Sequence, residues 1–190
     1  MRARWTALSV AALLGAVLAA DAQPAAQKRN FAPVPTAATP GAPTQAVGNL
    51  QPVAHAQQAR ITTCLDTIAR QSAAVIDAPH AAISSWTSAA PDQNLFVSMV
   101  GLSYKSAVAP SAAAVILAAP VAPDRCEGEV VQIIPSARSC GVVLASLVKA
   151  GKIIATLQGL AVVETNTGIR DLLMPTAGGG CTLVAVGLQE

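Results

Sequence analysis

This sequence has few aromatic residues and few charges. Trp, Tyr and Phe together make up 3% of the 190 residues, and Asp, Glu, Lys and Arg only 12%. A protein that binds nucleic acid needs clustered Lys and Arg to replace the counterions of the phosphates. No such cluster occurs in the sequence. We therefore expect no nucleic acid among its partners.

The sequence also lacks the close cysteine pairs and glycine-rich motifs of metal and cofactor sites. Its four cysteines are separated by 62, 14 and 41 residues, whereas zinc sites and thiol redox sites usually contain CxxC. Neither the dinucleotide motif GxGxxG nor the P-loop motif GxxxxGK[ST] is found. The sequence thus predicts no metal ligands, no cofactor and no cofactor-binding residues.

Residues 1–22 have the pattern of a cleaved signal peptide. Arg2 and Arg4 precede an uncharged apolar run from Trp5 to Ala20, and the residues 20–22 have the small-x-small pattern of a cleavage site. After Ala22 no apolar run of about 18 residues occurs, so we expect no membrane span after signal cleavage. These features predict export to the periplasm or secretion.

The segment 23–56 is predicted to be a disordered tether. It holds six prolines among small residues and has no periodic apolar face. The remaining residues, 57–190, carry eight Lys and Arg against nine Asp and Glu. They are numerous enough to form one domain with a hydrophobic core.

Two helices are predicted from apolar residues that recur at intervals of three and four. The first stripe contains Ile61, Cys64, Leu65, Ile68, Val75 and Ile76, and the second contains Cys140, Val143, Leu144, Leu147 and Val148. Pro79 limits the first helix, and Gly151 suits the end of the second.

Seven strand-like runs separated by turn residues follow these helices in the order α-ββββ-α-βββ. Short connections such as Asn166-Thr167-Gly168 favour hairpins and antiparallel pairing. The glycines 178–180 have no following helix or lysine, so they are predicted to turn the chain between two strands. The sequence therefore predicts an α+β domain with two helices on one face of a mostly antiparallel sheet. The runs are 82–86, 95–104, 112–119, 129–134, 160–164, 169–174 and 181–188.

The four cysteines are predicted to form two disulfides, because an even number in an exported chain is typical of an oxidising compartment. Four cysteines allow three pairings, and the sequence leaves all three open. We favour Cys126–Cys140, which closes a short loop if the chain reverses near Pro135, together with Cys64–Cys181.

Three residues of the domain are candidates to face a ligand. His80 is the one histidine of the predicted domain, and histidine is the residue type most used for acid–base chemistry at neutral pH. Trp86 and Tyr104 could offer flat rings to a ligand. With Asp77 and Ser84 or Ser85 nearby in sequence, His80 could also serve a hydrolase. These residues follow one another along a single segment, which favours local structural roles, so no catalytic residue is assigned.

The function expected from these patterns is an exported, non-enzymatic binding or accessory domain of unknown ligand. An inhibitor or a partner of an envelope protein fits a compact domain held by disulfides. The alternative is a small periplasmic hydrolase that uses His80 or a free cysteine.

Overall fold

The computed structural model describes residues 49–188, which form three helices packed on one sheet. The signal peptide predicted at 1–22 and the tether residues 23–48 lie outside the described residues. The helices are α1 (Gln51–Gln58), α2 (Leu65–Val75) and α3 (Cys140–Leu147), and one short 3-10 turn spans Pro91–Gln93.

Eight strands form a single antiparallel sheet with the order β1-β2-β3-β4-β8-β7-β6-β5. Helix α2 packs over β3 and β4, and α3 packs over β6, β7 and β8. The predicted α+β class, with helices on one face of an antiparallel sheet, is confirmed. The strands are β1 (His80–Ser85), β2 (Phe96–Ser103), β3 (Ser111–Ala122), β4 (Arg125–Ser136), β5 (Gly151–Leu157), β6 (Leu160–Thr165), β7 (Arg170–Pro175) and β8 (Cys181–Leu188).

Strand β5 was missing from the seven strands that the sequence predicts. It is an edge strand whose residues 152–157 are all exposed. Its pairing with β6 also shifts register between Ile153 and Ala155. An exposed, bulged strand has no alternation of buried and exposed side chains, which is the pattern that identifies a strand in a sequence.

Helix α1 corrects the predicted end of the tether at residue 56. Pro52 lies in the first helical turn, where its missing N–H is not needed and its fixed φ suits the helix. Ala56 is fully buried against Phe96 and Ile68. The folded part of the chain therefore begins before Gln57, because a proline in this position starts a helix instead of breaking one.

The two halves of the sheet repeat one structural unit. In the first unit α2 is followed by β1–β4, and in the second α3 is followed by β5–β8. Strands β4 and β8 pair at the centre, where Val131 lies opposite Val186. These valines lie five residues after Cys126 and Cys181, respectively. The two units are thus related by an approximate twofold axis through this pair.

Each unit carries its own disulfide, which corrects the predicted pairing. Cys64 bonds Cys126 and Cys140 bonds Cys181, so in both units the start of the helix is tied to the start of the fourth strand. The pairing Cys126–Cys140 was wrong because β4 runs straight through Pro135 from Arg125 to Ser136. A strand of that length holds its ends roughly 35 Å apart.

The predicted turns between the last strands are confirmed. Gly168, with φ of 81°, lies in the connection between β6 and β7, and Gly179, with φ of 79°, lies in the connection between β7 and β8. A positive φ is accessible to glycine without the steric cost that a Cβ imposes. The glycines before Cys181 therefore turn the chain, as expected, and bring this cysteine back to the start of α3.

Candidate functional site

The structure does not bring His80, Trp86 and Tyr104 together. His80 begins β1 and is 8% exposed. Its Nε2 accepts a hydrogen bond from the Gln51 backbone N–H at 3.4 Å, and its Nδ1 lies 3.3 Å from the Ala78 carbonyl oxygen. Trp86 follows the opposite end of the same strand, roughly 20 Å away along the chain. His80 therefore holds α1 on the sheet, a contact that the sequence did not predict because residues 51–56 were assigned to the tether.

The two aromatic candidates also make structural contacts. Trp86 stacks on Phe96 with ring centroids 6.4 Å apart. The Tyr104 hydroxyl donates a hydrogen bond to Asp77 Oδ1 at 2.6 Å. Burial, followed by this carboxylate, raises the pKa of Tyr104 to about 12. Both side chains remain partly exposed, so their role in facing a ligand stays a prediction.

A serine–histidine contact that the sequence did not predict lies beneath α1. His55 Nδ1 is 2.9 Å from Ser84 Oγ, and Ser84 Oγ donates to Ser98 Oγ at 2.9 Å. Ser84 is 4% exposed and Ser98 is fully buried. His55 was placed in the tether, so only recognition of α1 as a helix could have revealed this contact.

The direction of these hydrogen bonds argues against catalysis by this pair. Ser84 has one hydroxyl proton, and it is donated to Ser98. The His55 ring must then donate its own N–H to Ser84. A general base has to accept the proton of the nucleophilic serine, so the pair fixes α1 on β1 and β2 and does not activate Ser84.

Acidification is expected to loosen α1. Burial lowers the pKa of His55 below 6.5, so the folded state favours the neutral ring. Between the folded pKa and 6.5 the unfolded chain binds more protons, and stability falls as the pH is lowered through this range. Amide hydrogen exchange of residues 51–58 at pH 7.5 and 5.5 measures the effect. The variant His55→Gln keeps a hydrogen-bonding group without titration, and an equal pH response in this variant would contradict the assignment to His55.

Asp92 binds the backbone before α2 and has no free oxygen for a metal. Its Oδ1 accepts hydrogen bonds from the backbone N–H groups of Thr62 at 2.7 Å and Thr63 at 2.8 Å. Its Oδ2 accepts from the hydroxyl groups of the same two threonines. These bonds, chiefly that from the Thr62 hydroxyl, lower the pKa of Asp92. An open groove of about 550 Å³ lies beside this carboxylate. Both oxygens of Asp92 are already hydrogen-bonded within the protein.

Two buried polar groups lie on the helix-bearing face of the sheet. Asp171 on β7 is 4% exposed, and burial raises the pKa of its carboxyl. Gln71 on α2 is fully buried, and its amide makes no hydrogen bond among the described residues. The Gln71 amide packs directly on Gly128 of β4. These groups are far apart in the sheet order, because Asp171 belongs to the second unit and Gln71 to the first.

The two edges of the sheet differ in how they are covered. On the β1 edge, the Gln51 side chain of α1 accepts the hydrogen bond of the Ala82 backbone N–H at 2.5 Å. On the β5 edge, the structure places no strand or helix of residues 49–188 against the outer side of β5. Ile153 is 52% exposed there and Leu157 56%. The β5 edge strand is therefore uncovered, and it exposes apolar side chains.

The face of the sheet opposite the helices, here called the helix-free face, is also apolar. One row of neighbouring residues crosses all eight strands without a charge or a polar side chain. Strands with apolar residues on both faces are typical of sheets that are covered on both sides, but the three described helices cover only one. The row comprises Ala81, Gly101, Ala113, Ile133, Val184, Leu172, Val162 and Ala155.

Comparisons with protein-family models, with curated proteins and with solved structures gave no match. In the part of the chain that the structure describes, no helix is long and apolar enough to cross a membrane. The same residues contain no group of three or more His, Cys, Asp or Glu arranged to hold a metal ion. All four cysteines are in disulfides, so the alternative of a hydrolase with a free nucleophilic cysteine is wrong.

Proposed function

We propose that this protein is an exported, non-enzymatic binding domain that recognises a segment of an envelope protein along the β5 edge. The observation that carries the proposal is the unequal covering of two equivalent edges. The approximate twofold axis relates β1 to β5, yet only β1 is covered by a helix. A partner segment on β5 would complete the second unit as α1 completes the first.

The register of the sheet identifies the surface that such a segment would cover. In the first unit, neighbouring residues run from Ser84 through Ser98 and Ile116 to Val130. In the second, the equivalent row runs from Ile153 through Val163 and Asp171 to Ala185. Ile153 therefore occupies the position of Ser84, the residue that His55 of α1 contacts. Ser84 is 4% exposed beneath α1, whereas Ile153 is 52% exposed.

The same comparison defines the chemistry of the partner segment. In the first unit Ser84 contacts His55 and Ser98 hydrogen-bonds Ser84. In the second unit the equivalent positions are occupied by Ile153 and Val163. Val148, after α3, is 41% exposed near the start of β5. The segment would thus contact this site through apolar side chains and bond to the outer backbone groups of β5, which is the mode of strand addition at a sheet edge.

An extracytoplasmic location is consistent with this function. Two disulfides are stable in oxidising compartments and rare in the cytosol. Together with the signal pattern of residues 1–22, they support export to the periplasm. A domain that is held rigid by disulfides also loses little conformational entropy when it binds a partner.

Hydrolysis at His80 has less support than binding. Both ring nitrogens of His80 face backbone groups, of Gln51 and Ala78. Ser84 contacts His55 instead. A serine–histidine mechanism requires an exposed serine whose proton is accepted by the histidine. Ser84 is buried and donates its proton to Ser98.

The β5 edge can be tested by photo-crosslinking in the cell of origin. A photoreactive residue at the exposed position Thr156 is expected to crosslink to one envelope protein, and the same residue at Thr167 in the β6–β7 turn is expected not to. The purified partner should then lose affinity for the variant Ile153→Lys by about 100-fold, because a lysine buried in an apolar contact without a counter-charge is strongly unfavourable.

The variant Val142→Lys provides the matched control. Val142 is 54% exposed on α3, a helix that packs over β6, β7 and β8, and affinity for the partner should be unchanged in this variant. Equal loss of affinity in both variants, or equal crosslinking from positions 156 and 167, would rule out the β5 edge as the binding site.

A further inference from the structure

We infer that the helix-free face binds a second copy of this chain, so that two sheets pack face to face in a homodimer. This inference concerns a different surface from the β5 edge and does not depend on the proposed function. The apolar row described above crosses the centre of the sheet, where Ile133 of β4 lies opposite Val184 of β8. Ile133 is 36% exposed. Its neighbours on the two adjacent strands, Ala113 and Val184, are also apolar.

The patch is large enough to form the apolar centre of a dimer interface. Over β1–β4 and β8, about 24 Å at about 4.8 Å per strand, the row and the apolar row next to it are about 17 Å deep. Over β5–β7 the next row is charged, so only the row itself, about 7 Å deep, is apolar, and the whole patch covers ~500 Å². Specific interfaces bury about 800 Å² on each partner, and crystal-packing contacts generally bury less than half of that. A patch of this size is at the upper end of what monomeric proteins expose, and such patches often mark interaction sites.

The charges of the helix-free face lie beside the patch. Glu164 forms ion pairs with Lys152 at 3.7 Å and with Arg170 at 3.5 Å, in the row next to the charge-free one. Lys152 and Arg170 against Glu164 leave one positive charge, and Glu129 of β4 on the same face supplies the balancing negative charge. Two copies of the face can therefore approach without net repulsion between like charges. An apolar row without charge is self-complementary, as a twofold interface requires, and two such sheets pack about 10 Å apart.

The other possible occupants fit the face less well. The segment 23–48 has only Phe31, Val34 and Val47 as large apolar residues, too few to cover the patch. Binding to an anionic membrane needs free Lys and Arg around an apolar surface, and Lys152 and Arg170 on this face are paired with Glu164. A second copy supplies an apolar surface of the same shape and extent.

Sedimentation equilibrium of the purified protein tests the inference. The protein is expected to have twice the chain mass at about 10 μM, which exceeds the micromolar dissociation constants of the weaker specific interfaces. The variants Ile133→Lys and Met174→Lys are expected to raise the dissociation constant of the dimer at least about 100-fold, because each buries an unpaired ammonium group. Val142→Lys, on α3, should leave the dimer intact.

Met174 lies two residues after Leu172 on β7 and therefore on the same face. It is 41% exposed in the single chain, so a lysine there does not disturb the core. Circular dichroism verifies that both face variants are folded. A wild-type protein that stays monomeric overturns the inference, as does a dimer that persists in both face variants. A monomer that co-sediments with phosphatidylglycerol vesicles, and fails to do so as Ile133→Lys, would assign the face to a membrane and also overturn it.

Discussion

Removing either disulfide is expected to lower the free energy of unfolding by about 4 kcal/mol, the largest effect on stability that the structure implies. The bond Cys64–Cys126 closes a separation of 62 residues and Cys140–Cys181 one of 41. Without the disulfide, the unfolded chain gains the conformational entropy of the opened loop. Because this entropy depends only on the logarithm of the loop length, the expected loss of stability is nearly equal for the two bonds. Urea unfolding of the double variants Cys64→Ser/Cys126→Ser and Cys140→Ser/Cys181→Ser measures each contribution.

The same variants test the pairing itself. Each double variant removes one complete disulfide and leaves the other intact, so both should contain no free thiol. With Cys126 bonded to Cys140, each variant would instead leave two cysteines whose partners had been removed. Two free thiols per chain in either variant would therefore contradict the observed pairing.

Gly128→Ala is expected to destabilise the domain by about 3 kcal/mol, the upper part of the range for overpacked sites. A Cβ on Gly128 would clash with Gln71 Nε2 and would lie 2.8 Å from the Leu117 carbonyl oxygen. The Gln71 side chain could move, but the backbone of β3 cannot move without breaking its pairing with β4. The midpoint of urea unfolding should fall accordingly.

Gly141→Ala is the matched control for this substitution. Gly141 lies inside α3, and a Cβ there meets no atom within 4 Å. Alanine favours a helix over glycine by roughly 1 kcal/mol, so this variant should be more stable than the wild type. A similar loss of stability in both variants would show that the contact of Gly128 with Gln71 and β3 is not the cause.

The helices α2 and α3, the hairpins and the fold class could be predicted because their signals are local. Ile68 and Val75 recur at helical spacing and are buried in α2. Gly168 and Gly179 lie in turns that require positive φ. In each case a few neighbouring residues determine the backbone, so a single sequence is sufficient.

The disulfide pairing and the sites could not be predicted because they depend on which distant strands meet. Ser136 lies opposite Cys181 only because β4 pairs with β8, and this pairing brings Cys181 close to Cys140. Likewise, the contact between His55 and Ser84 exists because α1 covers the β1 edge. The helix starts around Cys64 and Cys140 are only faintly similar in sequence, so the repeated unit became evident from the topology.

A partner segment is proposed to cover β5 as α1 covers β1. Hydrogen exchange of the protein alone and in complex with the crosslinked partner tests this covering most directly. The expected result is slower exchange at residues 152–157 in the complex, with no change at residues 81–85 of the covered edge. Slower exchange confined to other strands, with residues 152–157 exchanging as fast as in the free protein, would contradict the claim.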